Sequence, residues 1–140
     1  MSQEVSVDES LLLWKGHHPL QPYIPSKADK WGFKFYALAE SSTGYISNLL
    51  VDQGRNTLLL PKNEFPALQK PGRYVMTLMK PILNRGHILG VDNFYTDVTL
   101  FKHLLNNGTD CVGTVRKGRR HIPPEVMQIV SHFNLEMEEV

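Results

Sequence analysis

Gly90-Val91-Asp92-Asn93-Phe94-Tyr95-Thr96 is the stretch whose reading decides the fold. A short apolar run, His87-Ile88-Leu89-Gly90-Val91, leads into an aspartate, and a helix start follows at Thr96. Strand, acid, helix is the order by which an open α/β sheet presents an acidic group at the carboxyl end of a buried strand, where such sheets place their chemistry. Asp92 is therefore the first candidate ligand.

Working outward, Thr96 suits the cap of a helix with Val98, Phe101 and Leu105 on its buried face and Gly108 as its stop. Lys102 and His103 in the last turn complement the helix dipole. Cys111 to Val115 reads as a strand, with Cys111 buried in it, and Pro124 opens a short helix carrying Val126, Ile129, Val130 and Phe133. On the other side, Tyr74 to Asn84 predicts a helix with Val75, Leu78, Met79 and Ile82 on one face, shortened by Pro81 and ended by Gly86. Pro61, Pro66 and Pro71 break the stretch before it.

Three strands precede that helix. The clearest is Trp31 to Ala39, where Trp31, Phe33, Phe35, Ala37 and Ala39 alternate with Gly32, Lys34, Tyr36 and Leu38. The aromatic set reads as the core side. A turn through Gly44 leads to a returning strand, Tyr45 to Val51. The first strand starts at Val5 and continues toward Trp14; Pro19, Pro22 and Pro25 then interrupt regular structure.

The resulting order is α/β: a three-strand antiparallel meander, then two strands parallel to the first, each preceded by a helix. It matches a ribonuclease-H-like mixed sheet, in which the first and fourth strands are central neighbours. That adjacency brings Asp8 and Asp92 to one end of the sheet. Two carboxylates there repel unless a cation bridges them, and Mg²⁺, or Mn²⁺, suits hard oxygen ligands. Two such ions roughly 3.5–4 Å apart activate an attacking oxygen and stabilise the leaving oxygen of a phosphodiester. Spacing alone leaves open that Asp8 is an exposed acid and that Asp92 only starts a turn. Glu9 and Asp97 read as surface charges and Asn93 as a turn former.

Composition bounds the rest. The chain has 140 residues, 41% of them hydrophobic, enough for one domain and a core. A single cysteine rules out an intrachain disulfide framework and fits a reduced compartment, cytosol or nucleus. Glu4, Asp8 and Glu9 replace the basic start of a signal peptide, and no apolar run is long enough for a membrane-spanning helix. The six histidines lack zinc spacing. Net charge is only +1, yet Arg116-Lys117-Gly118-Arg119-Arg120 holds no acid. With Lys27, Lys30 and Lys34, the cations Arg116, Lys117, Arg119 and Arg120 are candidates for DNA phosphate contact.

A series of phrases then points further: Asp8-Glu9-Ser10, Tyr23-Ile24-Pro25-Ser26-Lys27, Lys30-Trp31-Gly32-Phe33-Lys34, Ser42-Thr43-Gly44-Tyr45, Gly86-His87, Val91-Asp92-Asn93-Phe94-Tyr95-Thr96, Gly113-Thr114-Val115-Arg116-Lys117 and Ile122-Pro123-Pro124. Taken in this order, they resemble the piggyBac-type transposases and their domesticated derivatives. The resemblance implies a ribonuclease-H-like catalytic domain that uses three aspartates and divalent metal to excise and reinsert DNA by hydrolysis and strand transfer. Asp8 matches the first aspartate and Asp92 the second. The third belongs to a Gly-Gly-Val-Asp phrase, which this sequence does not contain, so the third-carboxylate helix is expected to be lacking. Trp14-Lys15-Gly16-His17-His18 departs from the family's more basic phrase, and Val51-Asp52-Gln53-Gly54-Arg55 from its Tyr-Thr-Gly-Lys-like one.

The expectation is thus a partial catalytic domain over residues 1–126 and a divergent helical, acidic tail over 127–140. It is expected to be nuclear, to meet DNA and no membrane, and to be inactive alone. The alternatives are a domesticated, non-catalytic DNA- or chromatin-binding protein and a nonfunctional gene remnant. The oligomeric state is left open.

Overall fold

The computed structural model of the chain describes residues 1–13 and 32–125. The first strand's extension to Trp14, the proline-rich connection, Lys27, Lys30 and Trp31, and the tail from Val126 lie outside the described residues.

A five-stranded sheet organises the molecule. Its strands are β1 (Glu4–Leu13), β2 (Gly32–Glu40), β3 (Ile46–Val51), β4 (Ile88–Val91) and β5 (Asp110–Gly113). They lie side by side as β3-β2-β1-β4-β5. β2 pairs antiparallel with both β1 and β3, whereas β4 pairs parallel with β1 and β5. Helix α1 (Lys70–Met79), followed by a 3-10 turn (Lys80–Ile82), connects the meander to β4, and α2 (Val98–Asn106) connects β4 to β5. This is the mixed, ribonuclease-H-like sheet that the element order predicts.

One hydrophobic core holds these elements. Val5 and Val7 from β1, Leu38 from β2, and Leu89 and Val91 from β4 meet Val75, Met76, Leu78 and Met79 of α1 and Leu100 and Leu104 of α2. Side chains alternate across a strand, so Val5 and Val7 face this core while Ser6 and Asp8 face the other side. Gly44 in the β2–β3 turn has φ of 73°.

Three details differ from the sequence reading. The fully buried side of β2 is Tyr36 and Leu38, 2% and 1% exposed, while Phe33 and Phe35 are half-buried on the opposite face. The register decides this: Leu38 lies across from Val7, so it joins the face that α1 covers. Helix α1 begins earlier than predicted, at Lys70, with Pro71 in its first turn where no amide donor is needed. Helix α2 begins at Val98 with Asp97, not Thr96, as its N-cap residue. Its buried pair is Leu100 and Leu104, one turn apart, and Leu105 points outward at 65% exposure.

Candidate functional site

Strand register builds the site. Val7, Val91 and Gly113 form one rung across the parallel strands β1, β4 and β5. The residues that follow this last rung are Asp8, Asp92 and Thr114, of which Asp92 and Thr114 lie just past the ends of β4 and β5. Alternation along β1 turns Asp8 away from the core, and Asp92, past the end of β4, is exposed beside it. They line one hollow of about 430 Å³ with Ser6, Gly90, Val112 and Thr114. Small side chains at Ser6 and Gly90 keep its floor low.

Asp92 lies just past the last paired residue of β4, so a turn sets its direction. Its Oδ1 accepts the amide of Asn93 at 2.6 Å and the Thr114 hydroxyl at 3.4 Å. Its carbonyl accepts the amides of Tyr95 and Thr96 at 3.0 and 3.2 Å, and the Thr96 hydroxyl at 3.2 Å. Thr96 therefore tightens the turn instead of capping the helix. Gly113 allows the close fit beside it: a Cβ there would come within 2.5 Å of the Thr96 Oγ1 and 3.0 Å of the Val91 Cγ2. Asp8 is simpler, its Oδ1 accepting the Glu9 amide at 2.8 Å.

Behind this rung the core face is less apolar than the sequence suggested. Glu9 is half-buried and is not a surface charge. Burial, and then the neighbouring Asp8 carboxylate, raise its pKa above the ordinary value, against a smaller opposing pull from Lys34. Tyr95 is fully buried, and among the described residues its hydroxyl makes no hydrogen bond of ordinary geometry, although Glu9 is near enough to act on it. Burial and the negative field of Glu9 hold that phenol protonated far into the alkaline range. Period-two reading would have found Glu9, which shares the face of Val5 and Val7. Thr114 was recoverable from strand order, as the residue after the third member of the rung.

The proposed cations are divided by the structure. Lys34 is half-buried on β2, its ammonium 5.3 Å from the Tyr36 ring centroid. Arg116, Lys117 and Arg120 are exposed in the turn after β5. Arg119 is half-buried and reaches back to the Asp92 turn, donating from Nε to the Thr96 carbonyl at 2.7 Å and from an Nη to the Phe94 carbonyl at 3.4 Å. Arg119 and Arg120 also line a second hollow of about 480 Å³ with Gln69, Asp97 and His121. Cys111 packs against the core, and burial pushes its thiol up to about 12.

The donors at the first hollow fit a hard divalent cation: two carboxylates, backed by a hydroxyl and main-chain amides that hold their orientation. Among the described residues, no group of three or more His, Cys, Asp or Glu side chains is gathered to hold a metal. Among them, too, no helix is long and apolar enough to cross a membrane.

Comparison with known proteins adds the lineage. The family model described as transposase IS4 matches residues 1–138. A piggyBac transposase, solved by cryo-electron microscopy as a synaptic complex with hairpin DNA, is similar in structure, with a TM-score of 0.75 and 32% sequence identity. The match covers 91% of this chain and 26% of that one, so the chain spans about a quarter of that transposase's length.

Proposed function

Because the chain belongs to the IS4 transposase family, of the piggyBac type, we propose that it carries two thirds of a metal-dependent phosphodiester centre, with Asp8 and Asp92 as its ligands. The observation behind this reading is strand geometry: Asp8, within β1 just past its last pairing with β4, and Asp92, just past the end of β4, line one hollow. Mg²⁺ or Mn²⁺ bound there supplies positive charge to a phosphoryl group and acidifies water. Thr114 and the Asn93 amide fix the Asp92 carboxylate, and the Glu9 amide fixes Asp8. Arg116, Lys117 and Arg120 contact DNA phosphates, with Lys27 and Lys30 as further cations on sequence grounds. A nuclear setting follows from such a substrate.

The sequence contains no third-aspartate phrase, so this chain alone nicks no DNA. A supercoiled plasmid incubated with the 140-residue chain and Mg²⁺ or Mn²⁺ tests that. Robust nicking that Asp92→Ala abolishes overturns the inactivity. Paramagnetic broadening by Mn²⁺ tests the ligands: resonances near residues 8 and 92 should broaden, and Asp92→Asn should remove the effect.

The exposed cations also support a second reading, a non-catalytic DNA-binding protein of the same descent. DNA binding that survives Asp8→Ala and Asp92→Ala, without any Mn²⁺ effect, favours it. Three phosphate contacts give a log–log salt slope of about −2.7.

A further inference from the structure

We propose that Arg119 is a positioning residue that clamps the Asp92 turn from behind and fastens it to the basic turn that follows β5. Its importance for chemistry rests on the metal-ligand reading of Asp92; the clamp itself rests on geometry alone.

Asp92 needs such a device. Val91 is the last β4 residue held by the sheet ladder on both sides, and the chain leaves the sheet immediately after it. The carboxylate then depends on the turn from Asn93 to Thr96. Within that turn the Asp92 carbonyl already receives the donors from Tyr95 and Thr96. The Phe94 and Thr96 carbonyls receive Arg119, at 3.4 and 2.7 Å. One guanidinium thus spans two carbonyls that flank Tyr95, which is itself anchored in the core. A planar fork with donors in fixed directions can do this; a single ammonium cannot hold both carbonyls in the same way.

The sequence around Arg119 is built to deliver it. The Arg119 amide donates to the Arg116 carbonyl at 3.1 Å, closing a tight turn. Gly118 between them has φ of 80°, a conformation that favours glycine. The reversal sends the Arg119 side chain back toward Thr96 and leaves Arg116 and Lys117 exposed. One arginine of the basic run is therefore committed to the protein's own backbone, while its neighbours face solvent.

Amide exchange in the 140-residue chain tests this without metal or DNA. In Arg119→Ala, exchange of the Tyr95 and Thr96 amides should quicken about tenfold, the scale expected for losing a charge-assisted hydrogen bond. Exchange at Val7 and Val91, within the ladder, should stay within about twofold. Arg119→Lys keeps the charge without the fork and should show most of the same local acceleration. Arg116→Ala and Lys117→Ala should leave Tyr95 and Thr96 unchanged. Unaltered exchange at Tyr95 and Thr96 in Arg119→Ala overturns the proposal. So does equal acceleration throughout the sheet, which marks a general loss of stability, and so does wild-type behaviour of Arg119→Lys. Mn²⁺ broadening measured on the same samples separates the two ideas. If the wild-type chain shows no broadening dependent on Asp92, the metal reading falls while the exchange rates still decide the clamp.

Discussion

Gly113→Ala puts the packing beneath the site to a direct test. An added Cβ would stand 2.5 Å from the Thr96 Oγ1, 3.0 Å from the Val91 Cγ2 and 3.2 Å from the Phe101 Cζ. None of these neighbours yields freely. Thr96 is 2% exposed and its hydroxyl is bonded to the Asp92 carbonyl, while Val91 is part of the core. Relief must come from turning Thr96, losing about 1 kcal/mol of hydrogen bonding, or from pushing the edge strand β5 outward. Overpacking of this kind costs about 1–3 kcal/mol. With a urea m-value of about 1.5 kcal/mol/M, a 2 kcal/mol loss lowers the unfolding midpoint by roughly 1.3 M. Gly90→Ala is the control, because it is also a strand glycine but, among the described residues, its Cβ would meet only the Val5 carbonyl, at an ordinary 3.8 Å. Restricting the unfolded chain should make that variant neutral or slightly more stable. Adding Thr96→Ala to Gly113→Ala should recover part of the loss, giving a coupling of about 1 kcal/mol. A Gly113→Ala midpoint within about 0.2 M of wild type would refute the close-approach argument, and with it the reason for glycine in the rung.

Three further outcomes follow from the groups behind the site. Tyr95→Phe removes a buried hydroxyl that makes no hydrogen bond of ordinary geometry among the described residues, so stability should be unchanged or slightly higher; a loss above about 1 kcal/mol in urea unfolding refutes that assignment. The raised pKa of Glu9 means that the folded state holds its proton more tightly than the unfolded state does. Its contribution is therefore favourable at low pH and is lost as pH rises from the ordinary value of 4.5 through the higher folded value. Glu9→Gln should flatten that part of the stability–pH curve and raise stability at pH 7, and an unchanged slope counts against it. With its thiol pushed up to about 12, Cys111 should alkylate at pH 8 far more slowly in the folded chain than in urea; equal rates in both contradict its burial.

The site was legible in the sequence wherever a local pattern and the strand order acted together. A short apolar run ending in Asp92 marks a buried strand with an acid at its end, and the helices between later strands force parallel pairing. Those two facts place Asp8 beside Asp92. The facing of β2 is not legible from residue type, because Tyr36 and Lys34 look polar next to two phenylalanines. Tyr36 buries its ring against Tyr74, with 4.0 Å between centroids, and its hydroxyl reaches Asp52. Aromatic content alone does not identify the core face; the register against Val5 and Val7 does. Nor does a run of cations reveal which member folds back. Arg119 differs from Arg116 and Arg120 only through the reversal at Gly118, a tertiary fact.

The placement of Asp8 and Asp92 has a physical origin separate from their chemistry. A one-residue slip of β1 against β4 would turn Val5 and Val7 out of the core and bring Ser6 and Asp8 into it. Val5, Val7, Leu89 and Val91 are all at most 8% exposed, so the core strongly opposes that slip. The same apolar pattern that stabilises the sheet therefore fixes Asp8 and the point at which the chain enters Asp92, while the turn from Asn93 to Thr96 sets the direction of the Asp92 carboxylate. Both aspartates are exposed, and solvent screening weakens their mutual repulsion. Core packing maintains the strand register on which positions 8 and 92 depend, whatever side chains stand there. Their placement follows from the core and the Asp92 turn, whereas ion binding depends on the carboxylates themselves. Asp8→Asn and Asp92→Asn should keep the fold, and each should weaken Mn²⁺ binding. A variant that keeps full Mn²⁺ binding would show that its residue is present at the site only as a consequence of strand register.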